Sequence, residues 1–119
     1  MLLRLDRSEA LMNRILSGHV RAHVPHLLDL EVTQVLRRYC RTGDITPARG
    51  EQAILDLAEL PLERHSHEPL LGRIWQLRDN VTAYDAAYIA LAEALRAPLL
   101  TLDRALSRVP GVRVAVEVF

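Results

Sequence analysis

Three carboxylates stand out because each interrupts an otherwise apolar stretch: Glu31 in LLDLEV, Asp85 in AYDAAYIALA and Asp103 directly after LLTL. Hard divalent cations such as Mg²⁺ and Mn²⁺ take oxygen ligands, usually a few carboxylates together with water molecules. A cation held in this way can activate water for attack on a phosphodiester and can offset charge on the leaving oxygen. The three residues therefore raise the hypothesis of a metal-dependent nuclease.

Each of these carboxylates also has a purely structural explanation. Asp103 precedes a short predicted helix, where an aspartate caps free backbone N–H groups. Asp85 comes three residues after Thr82, a spacing similar to that of a capping box. Glu31 borders the apolar stripe of its helix, where a charged group reaches water or pairs with an arginine such as Arg38. Spacing alone leaves open an unrelated α/β domain whose acidic residues only cap helices.

The elements that must position these residues alternate between helix and strand. Helices are predicted over residues 6–17, 26–41, 46–58, 68–78, 83–96 and 103–108, and strands over 19–24, 61–66, 98–102 and 112–119. This alternation is typical of an α/β fold with a largely parallel sheet. Functional sites in such sheets lie at the carboxyl ends of the strands, beside helix N-termini. Asp103 is expected at such a place.

The composition is that of an ordinary globular domain. Half of the 119 residues are apolar, and the 15 basic residues, all arginine, equal the 15 acidic ones. No overall field therefore indicates a nucleic-acid partner, although a local basic patch is compatible with this balance. The single cysteine, Cys40, excludes an internal disulfide and favours a reducing cytoplasm. No apolar run approaches the ~20 residues that a membrane-spanning helix needs.

The segments HVPHLLDLEVTQVLRR, NVTAYDAAYIALAEAL and PLLTLDRAL together resemble PIN-domain proteins, specifically the VapC-type toxins of bacterial toxin–antitoxin pairs. The resemblance extends over about residues 19–119. It implies a three-layer α/β fold in which helices flank a mainly parallel sheet. It also implies a cytoplasmic ribonuclease whose acidic pocket binds Mg²⁺ or Mn²⁺, and an antitoxin that occludes this pocket with an arginine reaching the acids. Homodimers are common in the family.

The resemblance assigns roles to individual positions of this sequence. Three residues match acidic metal-binding positions of the family, and three polar residues are expected to support them. The acidic residues are Glu31, Asp85 and Asp103, and the supporting ones are Thr101, Thr82 and Asn80.

The beginning of the chain departs from the family pattern. The family opens with an apolar strand that ends in an aspartate, and this aspartate is a principal metal ligand. The segment LLRLD is similar and makes Asp6 a candidate ligand, but Asp6 lies only 25 positions before Glu31. One helix fits there, where the family has two. We therefore expect residues 1–119 to form a single PIN-like domain that lacks the opening strand, with Asp6 as a helix cap. The alternative function is a catalytically impaired remnant that only binds antitoxin or RNA.

Two groups of basic side chains suggest further binding. Arg37, Arg38 and Arg41 cluster at the end of one predicted helix, where they either complement the helix dipole or guide RNA phosphates toward the acids. His19, His23 and His26 raise the idea of a zinc site. An i, i+4 pair of zinc ligands needs a continuous helix, which Pro25 interrupts, so exposed histidines are expected instead.

Overall fold

A computed structural model describes residues 8–17 and 21–119 of the chain. Its short strands are separated by helices and pair in parallel, which confirms the predicted α/β class. They are α1 Ser8–Leu16, β1 Ala22–Pro25, α2 Leu27–Thr42, α3 Pro47–Glu59, β2 Leu62–His65, α4 Leu71–Gln76, α5 Ala83–Leu95, β3 Leu99–Thr101 and β4 Val116–Val118. Short 3₁₀ helices, Glu68–Leu70 and Arg104–Arg108, precede α4 and follow β3.

The strands form two parallel pairs. In the first pair Ala22 of β1 lies opposite Leu62 of β2, and in the second Leu99 of β3 lies opposite Val116 of β4. Within the described residues the two pairs are separate sheets. A largely apolar groove is lined by residues of β1, β3 and α5, so it lies where the two pairs face each other. The strands are therefore parallel, as predicted, but they form two separate pairs.

The central element of the fold is α5. Every residue from 86 to 92 is buried, and Ile89 is fully covered. A helix that is apolar on all sides is stable only when other elements surround it. Leu77, Leu99 and Leu106 pack around α5 in the largest core cluster. The buried helix therefore fixes where its first turn, which carries Asp85, meets the end of β3.

A second core cluster holds α2 and α3 against the first strand pair. Leu28 and Val32 of α2 contact Val24 of β1 and Leu57 of α3. The helix α2 ends at Gly43, whose φ of 80° is the left-handed conformation that favours glycine at a helix C-terminus. This cluster fixes the register of α2, and so places Glu31 relative to the end of β1.

Some element boundaries differ from the sequence prediction. Pro25 ends β1 and is fully buried, so α2 begins two residues later than the proline. The predicted strand over 112–119 shrinks to Val116–Val118, because these are the residues that pair with β3. Trp75 is 67 % exposed, because Ile74 and Leu77 occupy the core-facing positions there.

No helix among the described residues is long and apolar enough to cross a membrane.

Candidate active site

Three separate elements bring the predicted carboxylates to one pocket. Glu31 lies in the second turn of α2, Asp85 in the first turn of α5, and Asp103 two residues after the end of β3. The pocket is lined by Glu31, Asp85, Tyr88, Leu99, Leu100, Thr101, Asp103 and Leu106. We call this set the acidic pocket. It lies at the carboxyl end of a parallel strand, the place where α/β folds carry their sites.

Asp85 is positioned by the cap of its own helix. The Thr82 hydroxyl accepts a hydrogen bond from the Asp85 backbone N–H at 3.2 Å, which fixes the first turn of α5. Burial raises the pKa of the Asp85 carboxyl above its ordinary value, and the nearby charges of Asp103 and Glu31 raise it further. The Thr82 hydrogen bond opposes this rise. The three carboxylates therefore lie close enough to repel one another.

Asp103 combines a structural role with a place in the pocket. Its Oδ1 accepts the Ala105 N–H at 2.9 Å, and its own N–H donates to Thr101 Oγ1 at 3.0 Å. Thr101 is buried, so this second contact anchors the turn to the end of β3. Capping of the 3₁₀ helix uses one side of the carboxylate, while Asp103 still lines the acidic pocket. The structural and the functional explanation thus apply to the same residue.

Tyr88 belongs to the pocket, although sequence reasoning had counted it only as part of an apolar helix. Its hydroxyl donates a hydrogen bond to Glu31 Oε1, which connects α5 to α2. Burial raises the pKa of Tyr88 above its ordinary value, and the bond to Glu31 raises it further. Tyr88 follows Asp85 by three residues, a spacing that puts both on one face of a helix, and this was the available signal.

The donor set of the acidic pocket suits a hard divalent cation. Glu31, Asp85 and Asp103 supply only oxygen atoms, which Mg²⁺ and Mn²⁺ prefer over nitrogen or sulfur. Burial and the charges of Asp103 and Glu31 raise the pKa of Asp85, and a cation would offset both effects. The residues present therefore fit the cation that the family resemblance implies.

Two grooves meet at Asp85. The first is lined by Leu27, Leu30, Glu31, Gln34, Arg38, Thr82, Tyr84 and Asp85. The second includes Arg78, Asn80, Thr82, Asp85 and Asp103. Arg38 lies on the Glu31 side of α2 because seven residues make about two helical turns. Arg37 and Arg41 are exposed but are not among the residues that line these grooves.

Other acidic residues and histidines lie apart from the acidic pocket or outside the described residues. Asp29 forms two hydrogen bonds with Arg64, at 2.8 and 3.0 Å, and this structural ion pair ties α2 to β2. His26 is exposed at the start of α2 and forms no side-chain cap. Asp6 and His19 lie outside the described residues, so their expected roles stay predictions.

The protein is an α/β domain with three carboxylates at the carboxyl end of a parallel strand. Sequence comparison specifies its family. The chain matches the PIN domain family over residues 3–112. It is 44 % identical to VapC ribonuclease Mb0985 of Mycobacterium bovis over 87 residues, which are 73 % of this chain and 68 % of that protein.

Two proteins of Mycobacterium tuberculosis are also similar. Ribonuclease VapC1 is 46 % identical over 92 residues, or 76 % of this chain and 69 % of that protein. Ribonuclease VapC3 is 36 % identical over 103 residues, or 87 % of this chain and 74 % of that protein. The chain therefore belongs to the PIN-domain family and, within it, to the VapC group, as the sequence motifs indicated.

Proposed function

We propose that this chain is a Mg²⁺- or Mn²⁺-dependent endoribonuclease that acts as the toxin of a toxin–antitoxin pair. The observation that carries the proposal is the convergence of Glu31, Asp85 and Asp103 from three elements on one pocket. The names of the similar proteins, which are ribonucleases of the VapC group, support RNA as the substrate.

In the proposed site, Glu31, Asp85 and Asp103 would hold the cation. When bound, such a cation lowers the pKa of water and offsets negative charge on a phosphodiester. The protein's own contribution is to hold the ligands in place. Tyr88 orients Glu31 through its hydroxyl, and the turn anchored on Thr101 orients Asp103. Partners of this kind are needed because a carboxylate that rotates freely loses much of its affinity for a metal ion.

The two grooves that meet at Asp85 offer a path for RNA. Arg38 lines one groove and Arg78 lines the other, so a cationic side chain flanks the pocket on each side. Arginine binds phosphate through several N–H donors at once. Tyr84 lies in the first groove and is 64 % exposed, which leaves its ring available for stacking on a base. Arg37 and Arg41 then contribute only long-range attraction.

The first groove also suits an antitoxin segment. Leu30 is 70 % exposed there, next to Leu27 and Tyr84, and the groove leads to Glu31 and Asp85. A partner segment with apolar side chains followed by an arginine would cover the leucines and place its guanidinium at the acids. The antitoxin would thereby occupy the same groove that RNA needs.

The test is cleavage of a labelled, mixed RNA pool by the untagged chain with Mn²⁺ and with EDTA. Asp85→Asn removes one ligand charge, and Asp56→Asn removes an exposed carboxylate on α3 as a matched control. We expect Mn²⁺-dependent cleavage that falls about 100-fold or more in Asp85→Asn and is unchanged in Asp56→Asn. Cleavage that persists in EDTA or in Asp85→Asn would contradict the proposed site.

Calorimetric titration with Mn²⁺ and a gel-shift assay with RNA separate this function from the alternative. A folded chain that binds RNA or Mn²⁺ but cleaves nothing under any metal would establish the catalytically impaired binding protein instead.

A further inference from the structure

A second group of metal-binding side chains lies on the first strand pair. Within the described residues, His23, Glu63 and His65 place one ligand atom each within 4.8 Å of the others. None of these residues lines the acidic pocket. We propose that they form a Zn²⁺ site that is distinct from the acidic pocket, and we call them the His–Glu cluster.

The parallel register of β1 and β2 explains why these residues meet. His23 lies directly opposite Glu63, and His65 follows Glu63 by two residues on the same strand. Residues two apart on a strand point to the same face, and neighbouring strands lie about 4.8 Å apart. Three side chains from two strands therefore project side by side, on a rigid support in which each strand holds the other.

The distances and donor types favour zinc. His23 Nδ1 lies 2.8 Å from His65 Nε2 and 3.2 Å from Glu63 Oε2. Zinc bonds of about 2.0–2.2 Å in a tetrahedron place neighbouring ligand atoms roughly 3.3–3.6 Å apart. The two ring nitrogens must therefore separate slightly, and the Glu63 oxygen must come within this distance of His65, from which it lies no more than 4.8 Å away. Two imidazoles and one carboxylate select Zn²⁺ over Mg²⁺, which prefers oxygen ligands. The acidic pocket, which offers only oxygen atoms, has the opposite preference.

Glu63 already has a partner that would orient it for a metal ion. Arg21 donates to Glu63 Oε1, while Oε2 faces His23. A ligating carboxylate is commonly held through its second oxygen in this way. The imidazole of His23 is about three-quarters buried, which limits its rotation. Three protein ligands leave a fourth position of the tetrahedron for a water molecule or a further ligand.

A cation at the His–Glu cluster would clamp β1 to β2. Because β1 leads directly into α2, which carries Glu31, the clamp would stabilise the half of the molecule that supplies one acid to the acidic pocket. Binding to the folded chain alone raises the free energy of unfolding in proportion to the logarithm of the metal concentration. The inference does not depend on nuclease activity, and its test needs no RNA.

The experiment is a calorimetric titration of the untagged, EDTA-stripped full chain with ZnCl₂ in the presence of excess Mg²⁺. His65→Gln and Glu63→Gln each remove one proposed ligand. His67→Gln is the matched control, because His67 is exposed and makes no side-chain cap to the following 3₁₀ helix. We expect one Zn²⁺ per chain, affinity at least about tenfold weaker in each ligand variant, and no change in the control.

Two results would overturn the proposal. Zinc affinity that is unchanged in both His65→Gln and Glu63→Gln would exclude these ligands, and loss of zinc binding in Asp85→Asn would assign the ion to the acidic pocket. X-ray absorption at the zinc edge of the wild-type chain gives an answer even if the variants fold poorly. Two imidazoles in the ligand shell are expected, and a shell of oxygen atoms alone would contradict the site.

Discussion

The two ends of α5 each carry a carboxylate, and their surroundings act on them in opposite ways. Near the first turn, Asp85 is partly buried beside Asp103 and Glu31, and its pKa is raised. Near the last turn, Glu93 accepts hydrogen bonds from Arg73 at 2.6 and 3.1 Å, and its pKa is lowered, chiefly by these bonds. The side chains of Glu93 and Arg73 are 9 % and 19 % exposed, so the ion pair is largely covered by the fold.

This contrast separates a structural carboxylate from a candidate ligand. Glu93 also accepts the backbone N–H of Arg113 at 2.8 Å, so the fold itself surrounds the charge with donors. Asp85 instead shares its pocket with two further negative charges, an arrangement that lowers stability in the absence of a cation. A carboxylate with a raised pKa among other negative charges, such as Asp85, is typical of a functional site. A carboxylate with a lowered pKa among donors, such as Glu93, is typical of an ion pair that stabilises the fold.

The largest expected effect separates the two ends by activity. Asp85→Asn should reduce Mn²⁺-dependent RNA cleavage by about 10²–10³-fold, because one ligand charge is lost. Glu93→Gln should leave the rate per folded molecule unchanged. Initial rates corrected for the folded fraction measure both. Equal losses in the two variants would show that the contrast along α5 has no functional meaning.

The next effect separates them by stability. Glu93→Gln should lower the free energy of unfolding by about 2–3 kcal/mol, because the partly buried Arg73 guanidinium loses its anionic partner. Urea denaturation in EDTA measures this change. Glu59→Gln, an exposed carboxylate at the end of α3, is the control and should stay within about 0.5 kcal/mol of the wild type. A similar loss in both variants would refute the structural role of the Glu93–Arg73 pair.

A smaller effect tests the hydrogen bond from Tyr88 to Glu31. Tyr88→Phe keeps the buried ring and removes only the hydroxyl, so we expect Mn²⁺ affinity to fall about tenfold. Calorimetry measures the affinity. Tyr84→Phe is the matched control, because the Tyr84 side chain is mostly exposed. If both substitutions weakened Mn²⁺ binding equally, the specific orientation of Glu31 by Tyr88 would be disproved.

The smallest effect lies in the dependence of stability on pH. The lowered pKa of Glu93 means that its contribution is complete above the ordinary value of 4.5 and is lost as the pH falls through the lowered folded value. The raised pKa of Asp85 has the opposite sign: the folded state binds more protons, so stability falls as the pH rises from 3.8 through the raised value.

Urea denaturation between pH 3 and 8 in EDTA, with wild type, Glu93→Gln and Asp85→Asn, checks these signs. The stability difference between wild type and Glu93→Gln should shrink at low pH. Asp85→Asn should become increasingly more stable than wild type as the pH rises. Differences that follow the pH in the same direction for both variants would contradict the assignment.

The sequence predicted those features that depend on residues close together along the chain. Cap residues and apolar spacing located α5, and Thr82 does accept the Asp85 N–H as the capping pattern indicated. The approach of Glu31 to Asp85 was inferred from the family motifs. The hydrogen bond between Tyr88 and Glu31, which are 57 positions apart, was not predicted. A contact of this kind depends on how two helices pack and cannot be predicted from residue spacing within either helix.

The histidines show the same limit. His23 was weighed with His19 and His26, its neighbours in the sequence, but the structure brings it to Glu63 and His65. These three residues lie close together because β1 pairs in parallel with β2, and residue spacing in the sequence does not predict this pairing. The exposure of Trp75 has a related cause, because only the packing of α4 decides which of its apolar residues face inward.

The separation of the strands into two parallel pairs has a consequence for the order of folding. Ala22 and Leu62 of the first pair are 40 positions apart, whereas Leu99 and Val116 of the second are 17 apart. The longer loop costs about 0.8 kcal/mol more entropy to close. We expect the carboxyl-terminal half to fold early, so that Asp85 and Asp103 come together first. Glu31 joins them last, because α2 packs only when β1 has paired with β2.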